Sequence, residues 1–510
     1  MKCLVVLALT TGCVTTAVSA RFFDRPIVVR SDDRRPIPEP EERAFRAKMY
    51  LADTLVFDPV VDRLRGSGHG HAGDVNALDE VPDSTWFTNR IGVREVTPEE
   101  AVRAADALGP PVLPLVVVAA KRGGGNPGFI CADARGTRYL IKFDTAENPG
   151  QQTATAPIVQ RLFWTIGYYT PSEFVIHFRR DELTVRALDD HKVDAMLRAA
   201  TRRPDGRYRA TASRILDGIP KGGWKRTGTR WDDPNDRVNH QQRRVLRGLR
   251  VFAAWTNHTD MKEDNTLDMY VGEPGKGYLI HYLVDFGEAL GGDQSEKDRP
   301  EIGFEYAWDW KNQGKAFVAF GLWQRPWELQ RRTKWLQIGY FGSTPLDPWI
   351  WRERFRYRPF SYADRADMYW GAKIVMRFDR PLIEAIVKTG EIGDPEAERY
   401  LVETLLARRE AIGRAFLDAV TPLDRITLTG DQLCGVDLAR HHRLALPSQL
   451  VVDGRPGVPI GDGGRVCTTV PISVGYHVAR VTIARPDHTT PPLEVHYVGG
   501  DKPHLVGLMR

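Results

Sequence analysis

The sequence predicts an α+β protein in which an antiparallel β segment leads into a long helical one and a small β module follows. Three observations carry that reading. From Leu115 the runs LVVVAA, FICADARG and TRYLIKFD are rich in β-branched and aromatic residues and are separated by Gly-containing turns. Over residues 151–166, 237–256 and 394–416 apolar residues return at spacings of three and four, the period of a helix. Beyond Thr421 short β runs alternate with Gly/Pro turns. With 510 residues there is chain for roughly three domains. The 13 Trp, 16 Tyr and 20 Phe exclude a disordered chain, and five Cys exclude a disulfide framework. A formal charge of +5, spread along the chain, leaves no nucleic-acid footprint.

Taken in order, residues 1–20 carry Lys2 and then LVVLALTTGCVTTAVSA, the pattern of an export signal. Val18-Ser19-Ala20 offers a small-residue cleavage site, and Gly12-Cys13 offers a lipoprotein site with a lipid anchor at Cys13. Either places the mature chain outside the cytoplasm, in a periplasm or anchored to a membrane. No other apolar run reaches the roughly 18 residues of a spanning helix. Residues 21–110 read as a tether, Pro- and charge-rich to about Pro40, and an N-terminal extension of short helical pieces interrupted by GSGHGHAG and VPDSTWFTNRIG. His69 and His71 in the first of these have no Cys or carboxylate at ligand spacing, which favours a solvated loop over a metal site.

Residues 111–188 read as a three-stranded meander, a helix over 151–166 closed by Gly167, and two further strands in SEFVIHF and ELTVRAL. Pro157 either begins the regular part of that helix or kinks it. Residues 189–420 read as an insertion to about residue 236, a helix from Arg237 to Thr256, a loop and two-strand hairpin to Gly287, and then mostly helix. Asp394 caps the last helix, with Pro395 in its first turn. Residues 421–510 form the C-terminal β module, where Cys434 and Cys467 are candidates for a bridge. Cys131 belongs to a core strand.

Several residues stand in patterns that carry chemistry. Gly123, Gly124, Gly125 and Gly128 lie in a turn between two strands, where missing side chains let backbone N–H groups approach an anion. Lys142, between Ile141 and Phe143, points to the opposite face of its strand from both. HTDMKEDN, residues 258–265, follows a long helix and precedes a hairpin that ends in Asp285-Phe286-Gly287. These motifs, in this order and with these intervening elements, resemble the protein-kinase superfamily, whose catalytic loop reads HRDLKPEN and whose metal-binding turn reads DFG. The resemblance covers about residues 115–295, and it is nearer to HipA-like and secreted kinases than to the ordinary eukaryotic type.

The resemblance implies a two-lobed core with an antiparallel β N-lobe and a helical C-lobe, binding Mg2+ and ATP and phosphorylating a hydroxyl-bearing acceptor. Asp260 would orient the acceptor hydroxyl, and Lys262 would steady the transferring phosphate. Asn265 and Asp285 would hold Mg2+, Lys142 would reach the α/β-phosphates, and the four glycines would form the flap. His258 reads as a packed support of the loop. Thr259 departs from the family arginine, no Ala-Pro-Glu follows, and no acidic residue stands between Gln151 and Ile166 to pair with Lys142, leaving Glu147, Gln152 or Gln160 as substitutes. Those departures keep a second reading, an exported pseudokinase serving as a binding or cell-envelope scaffold.

The eight Trp between Trp308 and Trp370 read as core packing of a helical segment rather than a ligand platform. Asp232-Asp233-Pro234-Asn235-Asp236 reads as a turn and helix cap, and Arg243, Arg244, Arg247 and Arg250 as a basic face toward solvent or acidic neighbours.

Overall fold

The computed structural model describes residues 20–23, 25–26, 33–65, 70–121, 127–292, 299–320, 322–344 and 346–510. The expected export signal with Cys13, the glycines at 123–125 and His69 lie outside them. Among the described residues no helix is long and apolar enough to cross a membrane.

The N-terminal extension supplies α1 (Ala47–Ala52), α2 (Asp58–Arg65) and α3 (Pro98–Arg103). Its irregular stretch is no linker. Trp86 and Phe87 are buried in the main core, and a Cβ on Gly167 would lie 2.3 Å from the Phe87 ring, so only glycine fits there. The segment expected to be a tether is partly docked as well: Ile37 is buried, pairs with Gly277, and accepts from the Tyr270 hydroxyl at 3.0 Å.

The expected meander forms from β1 (Leu115–Ala120), β2 (Gly128–Ala132) and β3 (Arg138–Lys142), paired antiparallel in sequence order. Then come α4 (Gln151–Ile166), β4 (Glu173–Phe178), β5 (Leu183–Val185), α5 (Asp190–Ala199) and β6 (Tyr208–Arg214). Pro157 lies inside α4, and Gly167 closes it. The sheet order is β4-β6-β3-β2-β1-β5. Strand β6 therefore sits between β3 and β4, within the stretch that the sequence assigned to an insertion. Its residues Tyr208, Ala210 and Ala212 join the apolar cluster of Leu115, Phe129, Ile141 and Phe143, while Arg209, Thr211 and Ser213 take the opposite face, over which α4 packs. That polar alternation hides a buried strand from a hydrophobicity reading.

Next come β7 (Ile219–Pro220), α6 (Arg244–Arg247), α7 (Leu249–Thr256), β8 (Thr266–Val271) and β9 (Tyr278–Leu283); β7, β8 and β9 pair as a small sheet. The single helix expected over 237–256 is corrected: regular helix begins at Arg244 and is interrupted at Gly248, which packs against Trp370. Its first amides are satisfied by Asp74, which accepts from Arg244 N at 2.5 Å, and not by the 232–236 turn. Asp236 instead sits buried between His240 and Arg243, at 2.7 and 2.6 Å. The four arginines are buried too, so the solvent alternative fails and the acidic-neighbour alternative holds for Arg243, Arg244 and Arg247.

Helices α8 (Trp310–Val318), α9 (Arg358–Tyr362), α10 (Arg365–Val375), α11 (Arg380–Lys388) and α12 (Pro395–Phe416) follow, with α12 capped by Asp394 on Glu396 N and Ala397 N. The stretch between α8 and α9 is mostly irregular, against the helical expectation. The aromatic cluster divides: Trp351, Tyr357 and Trp370 are core, whereas Trp308, Trp310, Phe317 and Phe320 are exposed. The C-terminal module comprises β10 (Leu423–Thr429), β11 (Gln432–Asp437), α13 (Leu438–His441), β12 (Gln449–Val452), β13 (Val458–Pro459), β14 (Arg465–Thr469), β15 (Gly475–Ala484), β16 (Leu493–Gly499) and β17 (His504–Met509). They make a three-stranded and a five-stranded sheet around one apolar cluster. Cys434 and Cys467, opposite each other on β11 and β14, are disulfide-bonded, and Cys131 is free and buried.

Candidate functional site

Strand register brings the first charges together. Lys142 on β3 pairs with Thr211 of β6, and Glu173 on β4 pairs with Ser213 of the same strand. Thr211 and Ser213 are two residues apart, so Lys142 and Glu173 emerge on one face of the sheet. Gly128 lies opposite Lys142 on β2. A Cβ there would come within 2.2 Å of Ile141 O and 3.4 Å of the Lys121 side chain, so glycine admits the close approach of β1, β2 and β3. Lys121 is an electrostatic neighbour of Lys142.

The other half of the site comes from the loop after α7 and the turn after β9. The Lys142 ammonium donates to Asp285 Oδ1 at 2.8 Å. Asp285 holds φ at +62°, a left-handed conformation unusual for a residue with a side chain. The next residue anchors the turn, since Phe286 is fully buried against Phe163 and His258. Gly287 lies against Gln152 of α4. In the loop, Lys262 Nζ donates to Asp260 Oδ2 at 2.8 Å, and Asn265 Nδ2 donates to Asp260 O and Oδ2 at 2.7 and 2.8 Å. Val284 N donates to Asn265 O at 3.1 Å, tying the loop to the Asp285 turn. His258 Nδ1 lies 3.0 Å from Glu288 O, the buried supporting position expected for it.

Electrostatics joins these pieces. Burial alone would lower the Lys142 pKa, but Asp285 and then Glu173 outweigh it and raise it. Lys142 in turn holds Asp285 below the usual carboxylate range against the opposing effect of burial, with Lys262 and Lys121 adding to the same direction. Burial raises Glu173, opposed by Lys142. For Lys262, burial is again outweighed, here by Asp260, and the pKa rises. Burial depresses His258, which favours the neutral imidazole.

Lys142, Asp260, Lys262 and Asp285, with the Asn265 amide, thus form one polar cluster at the sheet's polar face, with Gly128 beside it. The sequence reading missed Glu173, Lys121 and Glu288. Glu173 opens β4, beyond both the helix over 151–166 and Glu147 before it; a charge leading an otherwise apolar run was the available signal. Gln160, one of the substitutes expected for that partner, is committed to Thr170 at 2.8 Å.

Fold and site together define a mixed α+β protein with a lysine–aspartate cluster between a β-sheet and a helical body. Among solved structures, two crystal structures of the Golgi casein kinase, one with Mn/ADP bound, are similar over 75% of this chain and 94–95% of theirs, at 12% identity and a TM-score of 0.32. Similarity at that level transfers neither fold nor activity. No family model and no curated protein matches the sequence.

Proposed function

We propose that the chain is an atypical kinase-like phosphotransferase that binds Mg-ATP between two lobes and transfers phosphate to a hydroxyl acceptor. The observation that carries this reading is the Lys142–Asp285 contact, which joins the polar face of the sheet to the Asp-Phe-Gly turn beside the Asp260–Lys262–Asn265 loop. Lys142 would bind the α/β-phosphates, and Asp260 would receive the acceptor's hydroxyl hydrogen bond and orient its oxygen. Lys262, already on the Asp260 carboxylate, would carry positive charge to the transferring group.

The donor set suits a hard divalent cation. Asp285 is 39% exposed at its side chain and gives one oxygen to Lys142, leaving the other available, and Asn265 adds an amide oxygen. Among the described residues no group of three or more His, Cys, Asp or Glu could hold a metal by itself, so the cation would be completed by phosphate and water oxygens, as is usual for Mg2+. Bound there, the metal would neutralise phosphate charge. The Cys434–Cys467 disulfide supports the companion proposal that the chain is exported, with cleavage after Ala20 or lipidation at Cys13, because such bonds persist in oxidising compartments.

Purified Asp260→Ala should lose phosphate transfer from labelled ATP while retaining ATP binding; full transfer by the variant would overturn the role given to Asp260. A second reading, the catalytically inactive scaffold, draws on the absence of any carboxylate from α4. Thermal unfolding separates the two classes. Nucleotide at 100 times its dissociation constant adds roughly 2.7 kcal/mol, and a scaffold blind to nucleotide shows no shift.

A further inference from the structure

A second charged region lies away from this cluster, where the N-terminal extension, the helical body and the C-terminal module meet. They enclose a cavity of about 810 Å3, within the roughly 300–1,000 Å3 usual for small-molecule sites. Its basic side chains come from separate elements: Arg377 follows α10, Arg409 lies on α12, Arg425 on β10, and His441 and His442 at the end of α13. Ile91, Val96, Met376, Leu382 and Leu438 supply an apolar wall.

Two of the arginines are held by backbone carbonyls. Arg377 Nη2 donates to Arg94 O at 3.2 Å and Arg409 Nη1 to Phe378 O at 2.5 Å. Arg409 Nε is buried without a hydrogen-bond partner. Among the described residues no ion pair engages Arg377, Arg409 or Arg425, whereas the neighbouring Lys373 is paired with Glu80 and Asp424. Three carboxylates, Glu95, Asp379 and Asp424, also line the cavity. Asp424 takes Lys373 and the Tyr369 hydroxyl and Asp379 caps α11 through Leu382 N; Glu95 and Asp424 act electrostatically on Arg377, and Glu410 and Asp379 on Arg409, without forming an ion pair.

We infer that this junction is a binding site for a small molecule carrying a phosphate or pyrophosphate group, gripped by Arg377, Arg409 and Arg425 with its organic part on the apolar wall. Guanidinium forks match phosphate oxygens bidentately, and a buried donor without a partner is a cost that such an oxygen removes. The charges are also mutually unfavourable as they stand. Burial, then His441, Arg409, Arg377 and Arg425, depress His442 to about 4. An anion among them would relieve that repulsion.

The test is titration of the full chain with inorganic pyrophosphate at low ionic strength, followed by calorimetry and by the His442 imidazole resonance. The expected result is saturable binding that raises the His442 titration midpoint and weakens about tenfold or more in Arg409→Gln/Arg425→Gln, a loss of about 1.4 kcal/mol. Arg425→Gln alone, at an exposed position, should weaken binding in the same direction and guards against a folding defect in the double variant. Lys142→Ala should leave this binding intact. Absence of binding, binding as tight as wild type in both arginine variants, or loss of binding in Lys142→Ala would overturn the site. Sedimentation with phosphatidic acid vesicles that the double variant abolishes would support the same site with a lipid headgroup as its source.

Discussion

Lys142 has two carboxylates in its field, Asp285 in direct contact and Glu173 from the next strand but one, and they do different things. Asp285 neutralises the ammonium at 2.8 Å and is partly exposed; Glu173 is buried and is itself pushed toward protonation by burial. Glu173 therefore acts on Lys142 by position rather than by a hydrogen bond of its own, and its side chain meets Ser213 at 3.4 Å. Glu173→Gln keeps shape and removes the charge. Under the proposed function it should weaken Mg-ATP binding by about tenfold, raising KM for ATP with little change in kcat and little change in Tm. An unchanged KM would show that Asp285 alone positions the lysine. At this scale most of the cluster was legible, because Lys142, Asp260, Lys262, Asn265 and Asp285 each stand in a local pattern. Glu173 was not, because its closeness to Lys142 depends on the registers of β3 and β4 against β6, which neither segment encodes by itself.

Elements whose boundary signals are local were readable, and those whose partners are remote were not. Helix α12 carries its own cap: Asp394 accepts from Glu396 N and Ala397 N at 2.8 and 3.2 Å and also from Trp335 Nε1 at 3.0 Å. Asp394→Ala should destabilise the protein, read as a lower urea midpoint at unchanged m. Helix α6 is the opposite case. Arg244, 1% exposed at its side chain, bridges Asp79 at 2.6 Å and Asp367 at 3.1 Å, the first from the extension and the second from α10. From the sequence this is one arginine in a basic stripe, and only the fold makes it a buried cross-link. Arg244→Met should destabilise by about 3 kcal/mol, since it breaks both pairs and leaves Asp79 with Arg510 at 2.9 Å and Asp367 with Arg247 at 3.4 Å as their remaining cations. Strand β6 escaped for the same reason: Arg209, Thr211 and Ser213 look like a surface face until α4 covers them.

Across the whole molecule, polar contacts fasten the C-terminal module to the rest. Asp424 of β10 receives Lys373 at 3.2 Å and the Tyr369 hydroxyl at 3.0 Å, and Arg510 reaches Asp79 of the extension at 2.9 Å. The module's strands were legible from alternation and turns, but its seating was not, because its contacts join residues 51, 55 and 431 positions apart. His442, half-buried at this junction, gives the seating a pH dependence. Its pKa falls from the ordinary 6.5 to about 4 in the folded protein. Between those values the unfolded chain binds a proton that the folded chain does not. Stability therefore rises with pH through the window and is lost as pH falls from 6.5 toward 4. The slope contributed by one such group is at most about 1.4 kcal/mol per pH unit, and partial exposure keeps it below that limit. His442→Gln should flatten the stability profile in that window and leave it unchanged above pH 7, measured by denaturant unfolding in buffers of monovalent anions. If wild type and variant keep the same slope, His442 titrates alike in both states and the cationic environment assigned to the junction is wrong. Should pyrophosphate occupy the cavity, the wild-type slope should fall toward that of the variant, because the bound anion returns the imidazole to its ordinary range.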